Sequence, residues 1–114
     1  MKDELRARAL RLLARREHTR AELARKLAPD AGSSDVLERL LAQLEGRRQL
    51  SDERYAEARA HQLARKFGAL KIRRELVAKG VEPEAAARFA ADVERTDLER
   101  ARSILARPAP DSRP

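Results

Sequence analysis

Apolar residues recur along this chain at intervals of three and four, the period of one helix face rather than the alternation of a strand. Leu5, Ala9, Leu12 and Leu13 make such a stripe on a first helix predicted over residues 3–16. Thr19 and Glu22 have the spacing of a capping box, in which each side chain accepts a hydrogen bond from the other residue's backbone N–H, so a second helix opens there. Leu23 and Leu27 are its inward pair. Pro29 is expected to stop it, because the residue before a proline is disfavoured in helical conformation. Beyond a loop at 30–34, a third helix over 35–47 turns Val36, Leu37, Leu40, Leu41 and Leu44 inward.

The pattern then starts again. Ser51, Asp52 and Glu53 place a hydroxyl cap and two acids at the positively polarised start of a fourth helix, whose stripe is Ala56, Ala60, Leu63 and Phe67. Gly68 breaks it. A fifth helix over 69–79 carries Ile72, Leu76 and Val77, with Gly80 in the left-handed position and Val81 folding back as its apolar contact. Pro83 suits the first turn of a sixth helix, with Ala86, Phe89, Ala90 and Val93 inward. Thr96 and Glu99 repeat the capping-box spacing and predict a seventh helix with Leu98, Ala101 and Leu105 inward. Pro108, Pro110 and Pro114 predict a disordered tail over 108–114.

A shift of 49 residues carries Leu23 and Leu27 onto Ile72 and Leu76, and Leu40 and Leu44 onto Phe89 and Val93. The fold class is therefore all-α: tandem three-helix repeats forming a short helical array, truncated after the first helix of a third repeat. The first repeat takes residues 1–50, the second 51–95, and the single helix of an incomplete third 96–107. Neither unit alone buries much surface, so the units are expected to pack on each other.

Composition narrows the function. The 114 residues include no cysteine, so disulfides, thiolate metal sites and a cysteine nucleophile are excluded. No stretch approaches the roughly 20 apolar residues of a membrane span, and a cytoplasmic protein without cofactor or metal, acting as a monomer, is expected. The formal charge of +7 favours an anionic partner. It is unevenly spread: +5 over 1–28, −1 over 29–50, +4 over 51–81 and −1 over 82–114. Positive charge thus falls on the first two helices of each repeat, as a repeated contact surface would require.

Two basic clusters follow. One is Arg8, Arg11, Arg15 and Arg16 with Arg20, Arg25 and Lys26; the other is Arg65, Lys66, Lys71, Arg73, Arg74 and Lys79. Arg25 and Arg74 are equivalent by the repeat shift. The plainer reading is a solvated face balanced by pairs four residues apart, such as Glu22–Lys26 and Glu75–Lys79. The clusters together point instead to phosphates or carboxylates of a partner, bound in a salt-sensitive way. Tyr55, Phe67 and Phe89 fall near core stripes, which argues against base stacking on aromatic side chains.

A helix-turn-helix DNA reader would place residues 35–47 in the major groove, but that helix opens with Asp35 and Glu38, the wrong charge for base edges. Catalysis has little to work with. His18 precedes a capping box and reads as a helix-junction residue, and His61 lies mid-helix without a partnered nucleophile. Asp52 and Glu53 are neighbours on a helix and so diverge, and the helix dipole explains them.

Three blocks, in order, resemble one family. Residues 9–27 give an apolar helix ending in basic residues, then Thr19-Arg-Ala-Glu22-Leu23-Ala-Arg-Lys26-Leu27; the second is Leu50-Ser51-Asp52-Glu53-Arg54-Tyr55-Ala56; the third runs from Gly68 through Ile72 and Leu76 to Lys79-Gly80-Val81. Over about residues 9–95 the chain is similar to the RecX regulatory proteins. That resemblance implies a short curved helical array lying in the groove of the RecA–DNA filament and restraining filament growth, ATP hydrolysis and strand exchange. RecA is then the partner, and DNA phosphates within the filament a further contact. In the family's Asp-x-Arg-Phe/Tyr block, Asp52 reads as a cap-region acid and Tyr55 as packing. Gly68 and Gly80 read as helix ends. Lys71 stands where the family usually has Arg, keeping charge but losing the bidentate fork, and Arg59 and His61 occupy a stretch that is often more apolar. Relatives commonly continue through a third full unit, so weaker inhibition is expected of this chain. The alternative is a sequence-independent DNA-binding helical protein that acts without RecA.

Overall fold

The computed structural model describes residues 2–106. Its elements are α1 (Lys2–Arg15), α2 (Arg20–Ala31), α3 (Ser34–Gly46), α4 (Asp52–Leu63), α5 (Ala69–Ala78) and α6 (Pro83–Ala106), with no strand among the described residues. The local signals behave as their chemistry dictates. The Thr19 hydroxyl accepts from the Glu22 N–H at 3.0 Å, and the Glu22 carboxylate accepts from the Thr19 N–H at 3.1 Å. Ser33 and Ser51 cap α3 and α4 in the same way, accepting from the N–H of Val36 and Arg54. At the end of α5, Gly80 takes φ 103°, and the Val81 N–H reaches back to the Leu76 carbonyl at 3.0 Å.

The same terminal geometry closes α3 without a glycine. Arg48 holds φ 61°, with Gln49 N–H on the Leu44 carbonyl at 2.9 Å. A side chain in that left-handed region costs about 1 kcal/mol relative to glycine. Arg48→Gly is accordingly expected to raise stability by about 0.5 kcal/mol at most, once ~0.5–1 kcal/mol for the entropy of a more flexible unfolded chain is deducted. A denaturant melt with an unchanged slope would check it.

Three helix boundaries differ from the sequence pattern. The first is that α4 stops at Leu63, short of Phe67, and Gly68 sits instead at the N-cap of α5. Pro29 lies inside α2, which continues to Ala31 and ends at Gly32 with φ 81°. In the last turn, on the exposed face, the proline removes only the hydrogen bond to the Arg25 carbonyl, which water can satisfy. Nor is there a seventh helix. The Thr96 hydroxyl donates to the Asp92 carbonyl at 2.9 Å, four residues back, and α6 runs on unbroken to Ala106. With no Gly or Pro between Pro83 and Arg107, nothing offsets the cost of interrupting the backbone ladder. The stripe expected to face inward there is outside: Leu98 is 55 % and Leu105 84 % exposed. Phe67 and Val77 are also more exposed than their stripes implied, and the segment expected to form a tail lies outside the described residues.

Each three-helix unit has its own core. Leu5, Ala9, Leu23, Leu27, Leu40, Leu41, Leu44 and Leu50 form the first. Tyr55, Ala56, Ala60, Leu63, Ile72, Leu76, Val81, Ala86, Ala90 and Val93 form the second. The pairs related by the 49-residue shift occupy matching places, since Leu23, Leu27, Ile72 and Leu76 are all fully buried. The molecule measures 71 × 27 × 22 Å, and its radius of gyration is 19.0 Å. A compact chain of this length would have about 13 Å. The units stand end to end.

Candidate partner-binding surface

What joins the units is polar. The start of α2 lies between the start of α4 and the end of α5. Asp52 Oδ1 accepts from the backbone N–H of Arg20 at 2.7 Å, so this acid caps the helix of the other unit rather than its own. Ser51 supplies the cap of α4. The Arg54 guanidinium donates to Glu17 Oε2 at 2.8 Å and to the Arg48 carbonyl at 2.7 Å, tying α4 to the α1–α2 turn and to the end of α3. On the other side the Thr19 hydroxyl donates to the Lys79 carbonyl. Gly80 sits so close that a Cβ there would lie 2.6 Å from the Ala21 Cβ. The Asp-x-Arg-Tyr and Lys-Gly blocks of the sequence are thus the two jaws of one joint.

Charge inside the joint is satisfied. Glu22 is 5 % exposed and receives both arms of the Arg16 guanidinium at 3.2 and 3.0 Å, besides the Thr19 N–H. Burial alone would raise its pKa, but these hydrogen bonds and the Arg16 charge together hold the carboxyl below the usual range. Burial raises the Tyr55 phenol, and the Glu22 carboxylate adds to that. A cleft of about 280 Å³ opens beside them, lined by Arg16, Glu17, Tyr55, Arg59 and Lys79 among others.

His18 is 2 % exposed at the α1–α2 turn. Its Nδ1–H donates to the Arg16 carbonyl at 3.0 Å, and Nε2 accepts from Lys26 Nζ at 3.0 Å, a pattern that requires the neutral ring. Burial lowers its pKa, and the Arg16 and Lys26 charges lower it further against the pull of the Arg16 carbonyl. With the folded value below the unfolded one, the unfolded chain takes up the proton first. Stability is therefore present above the unfolded pKa, about 6.5, and is lost as pH falls below it toward the folded value. Urea melts at pH 7.5 and 5.5 should show the loss, and His18→Phe, which installs the residue found at the repeat-equivalent position 67, should abolish that difference.

The two basic clusters fare differently. In the first cluster four of the seven cations are engaged internally. Arg8 pairs with Asp30 and Arg16 with Glu22. Arg20 bridges Glu38 at 2.7 Å and Glu45 at 3.0 Å, and these two carboxylates raise its already high pKa. Lys26 is held on His18. Arg11, Arg15 and Arg25 are exposed and without ion pairs among the described residues. The second cluster keeps its charge outward. Arg65, Lys66, Arg73 and Arg74 are exposed and make no ion pair among the described residues, while Lys71 Nζ stands 5.2 Å from the centre of the Phe67 ring. The half-buried Lys79 contributes its carbonyl to the joint. Neither Glu22–Lys26 nor Glu75–Lys79 is among the ion pairs of the described residues; Glu22 is committed to Arg16.

Phe67 corrects a further expectation. It is 40 % exposed, so one aromatic ring does stand among the cations of the second cluster. Asp52, Arg54, Glu17 and Glu22 are the working residues that local pattern missed as a set. Local spacing showed the cap at Glu22, but the Asp52–Arg20 and Arg54–Glu17 contacts join residues 32 and 37 positions apart, beyond the reach of any local pattern.

Comparison with known proteins agrees with this division. Residues 6–44 match the family model described as RecX, first three-helix domain, and residues 51–91 match RecX, second three-helix domain. The chain is 48 % identical to the regulatory protein RecX of Herbaspirillum seropedicae over 90 % of its own length and 67 % of that protein. Against the regulatory protein RecX of Leptothrix cholodnii it is 45 % identical, over 90 % of this chain and 66 % of the relative. Against that of Ralstonia nicotianae it is 42 % identical, over 90 % and 65 %. The chain thus spans about two thirds of the length of these relatives. No solved structure matches it significantly. With both family domains in order on the two units and identities approaching one half, this chain belongs to the RecX family of regulatory proteins.

Proposed function

We propose that this chain binds the RecA–DNA filament and restrains RecA's ATP hydrolysis, filament growth and strand exchange, acting by contact and without catalysis. The observation that carries this reading is the row of exposed cations on the α4–α5 turn and α5, which have no ion pairs among the described residues. Charges left without partners on a stiff scaffold lose less on binding than charges that must first break an internal pair. Carboxylates of RecA and phosphates of the DNA within the filament are the anions they meet. The two units, residues 1–50 and 51–95, offer related faces to successive copies of a filament subunit, and repetition adds avidity. The protein acts in the cytoplasm as a monomer.

The test is RecA's DNA-dependent ATPase, measured with and without this chain over a salt series. Inhibition that fades as salt rises is expected. No effect on the ATPase together with no filament binding would sink the reading. Binding to DNA alone, with a steep salt slope and indifference to RecA, would favour the sequence-independent DNA binder instead. Reversing both charges, Arg73→Glu with Arg74→Glu, is expected to weaken filament binding by about tenfold or more. Circular dichroism should stay unchanged, since neither side chain is paired or buried.

A further inference from the structure

The outward face of α5 carries more than charge. Leu70, Arg73, Arg74 and Val77 are spaced i, i+3, i+4 and i+7 and so share one side of the helix. Leu70 is 59 % and Val77 39 % exposed, and Phe67, just before the helix, is 40 % exposed under Lys71. The helix has already spent its other face, since Ile72 and Leu76 lie in the core. Two aliphatic side chains are therefore held in water with two arginines set between them.

The matching helix of the first unit shows that this is not a property of the repeat. The 49-residue shift places Ala21, Ala24, Arg25 and Ala28 at these positions. Ala21 lies against Gly80, so that face begins as part of the joint. One charge is retained there and both large apolar residues are absent.

We infer that the outward face of α5 docks an acidic protein surface bearing an apolar pocket, with Leu70 and Val77 as anchors and Arg73 and Arg74 as the charged contacts. Charge complementarity sets the sign of the partner, because the exposed cations around this face, Arg65 and Lys66 included, have no ion pair among the described residues. The aliphatic pair sets its class. Burying Leu and Val yields free energy only against an apolar counterpart, which the phosphate backbone of nucleic acid lacks. Such a surface has an apolar centre with a charged rim, the anatomy of a protein–protein contact.

This inference rests on the proposed filament binding and sharpens it. The experiment is equilibrium binding of the labelled chain to RecA filaments assembled on single-stranded DNA, at two salt concentrations. Leu70→Ala with Val77→Ala is expected to weaken binding about tenfold with an unchanged salt dependence. Arg73→Gln with Arg74→Gln should weaken it at low salt and flatten the salt dependence. Melting temperatures should stay at the parent value in both. If the parent chain itself fails to bind, the filament reading falls. If the parent binds and the Leu70/Val77 variant binds equally well, the docking face alone is overturned. Loss of binding to free DNA in that variant would make the face a nucleic-acid surface. Loss of a concentration-dependent dimer in sedimentation would make it a contact between copies. Either result overturns the inference.

Discussion

Gly80→Ala is expected to lower the free energy of unfolding by about 2–5 kcal/mol, a large effect for one added methyl group. Two costs combine. At φ 103° an L-residue is strained, by about 1–2 kcal/mol. The new Cβ would also stand 2.6 Å from the Ala21 Cβ and 3.6 Å from the Thr19 hydroxyl, so the second unit must retreat from the first. Overpacking of this kind costs about 1–3 kcal/mol. The two parts can be told apart, because Ala21→Gly in the same chain removes the collision and leaves the backbone strain. Thermal melts of the single and double variants should show partial recovery, about half of the loss. Full recovery would mean that the φ strain counts for nothing; no recovery would mean that the close approach is not what holds the units together.

Thr19→Val should cost about 2–3 kcal/mol while keeping the shape of the side chain. The hydroxyl serves two helices at once. It accepts from the Glu22 N–H at the start of α2 and donates to the Lys79 carbonyl at the end of α5. Thr19 is fully buried, so the Glu22 N–H regains no water when the hydroxyl is removed. Loss of an N-cap costs about 1 kcal/mol, and the half-buried Lys79 carbonyl, left without its donor, adds about 1–2 kcal/mol. Because the two cores are separate, weakening the joint should also uncouple them. Calorimetry is expected to show a broadened or split transition in Thr19→Val, and a single sharper one in Thr19→Ser, which keeps the hydroxyl. A variant as stable and as cooperative as the parent would show that the joint contributes little.

These expectations concern contacts of very different sequence range, and so does the legibility of the protein. The capping box at Thr19 and Glu22, the glycine end of α5 and the inward leucines at shift-related positions were all readable, because each depends on neighbours within one or two helical turns. The same local logic misjudged Thr96. Its spacing to Glu99 is that of a cap, yet the hydroxyl turns back to the Asp92 carbonyl and α6 goes on. A capping box stabilises a helix start only where the chain has a reason to stop first. Arg48 escaped notice for a related reason, since its left-handed conformation is imposed by the Leu44 and Glu45 carbonyls and not by its own preference.

For the candidate surface, the sequence by itself determined that the chain is a helical repeat with positive charge on the first two helices of each unit, because helix period and charge counts are local quantities. Only the tertiary structure decided which of those charges are free. Arg20 is spent on Glu38 and Glu45, 18 and 25 residues away, while Arg73 and Arg74 face solvent. It also decided that Asp52 caps the other unit's helix and that Leu70 and Val77 stand outside. Ion pairing and burial depend on where one helix lies against another, a relation set by the joint between the units and not by the spacing along either helix.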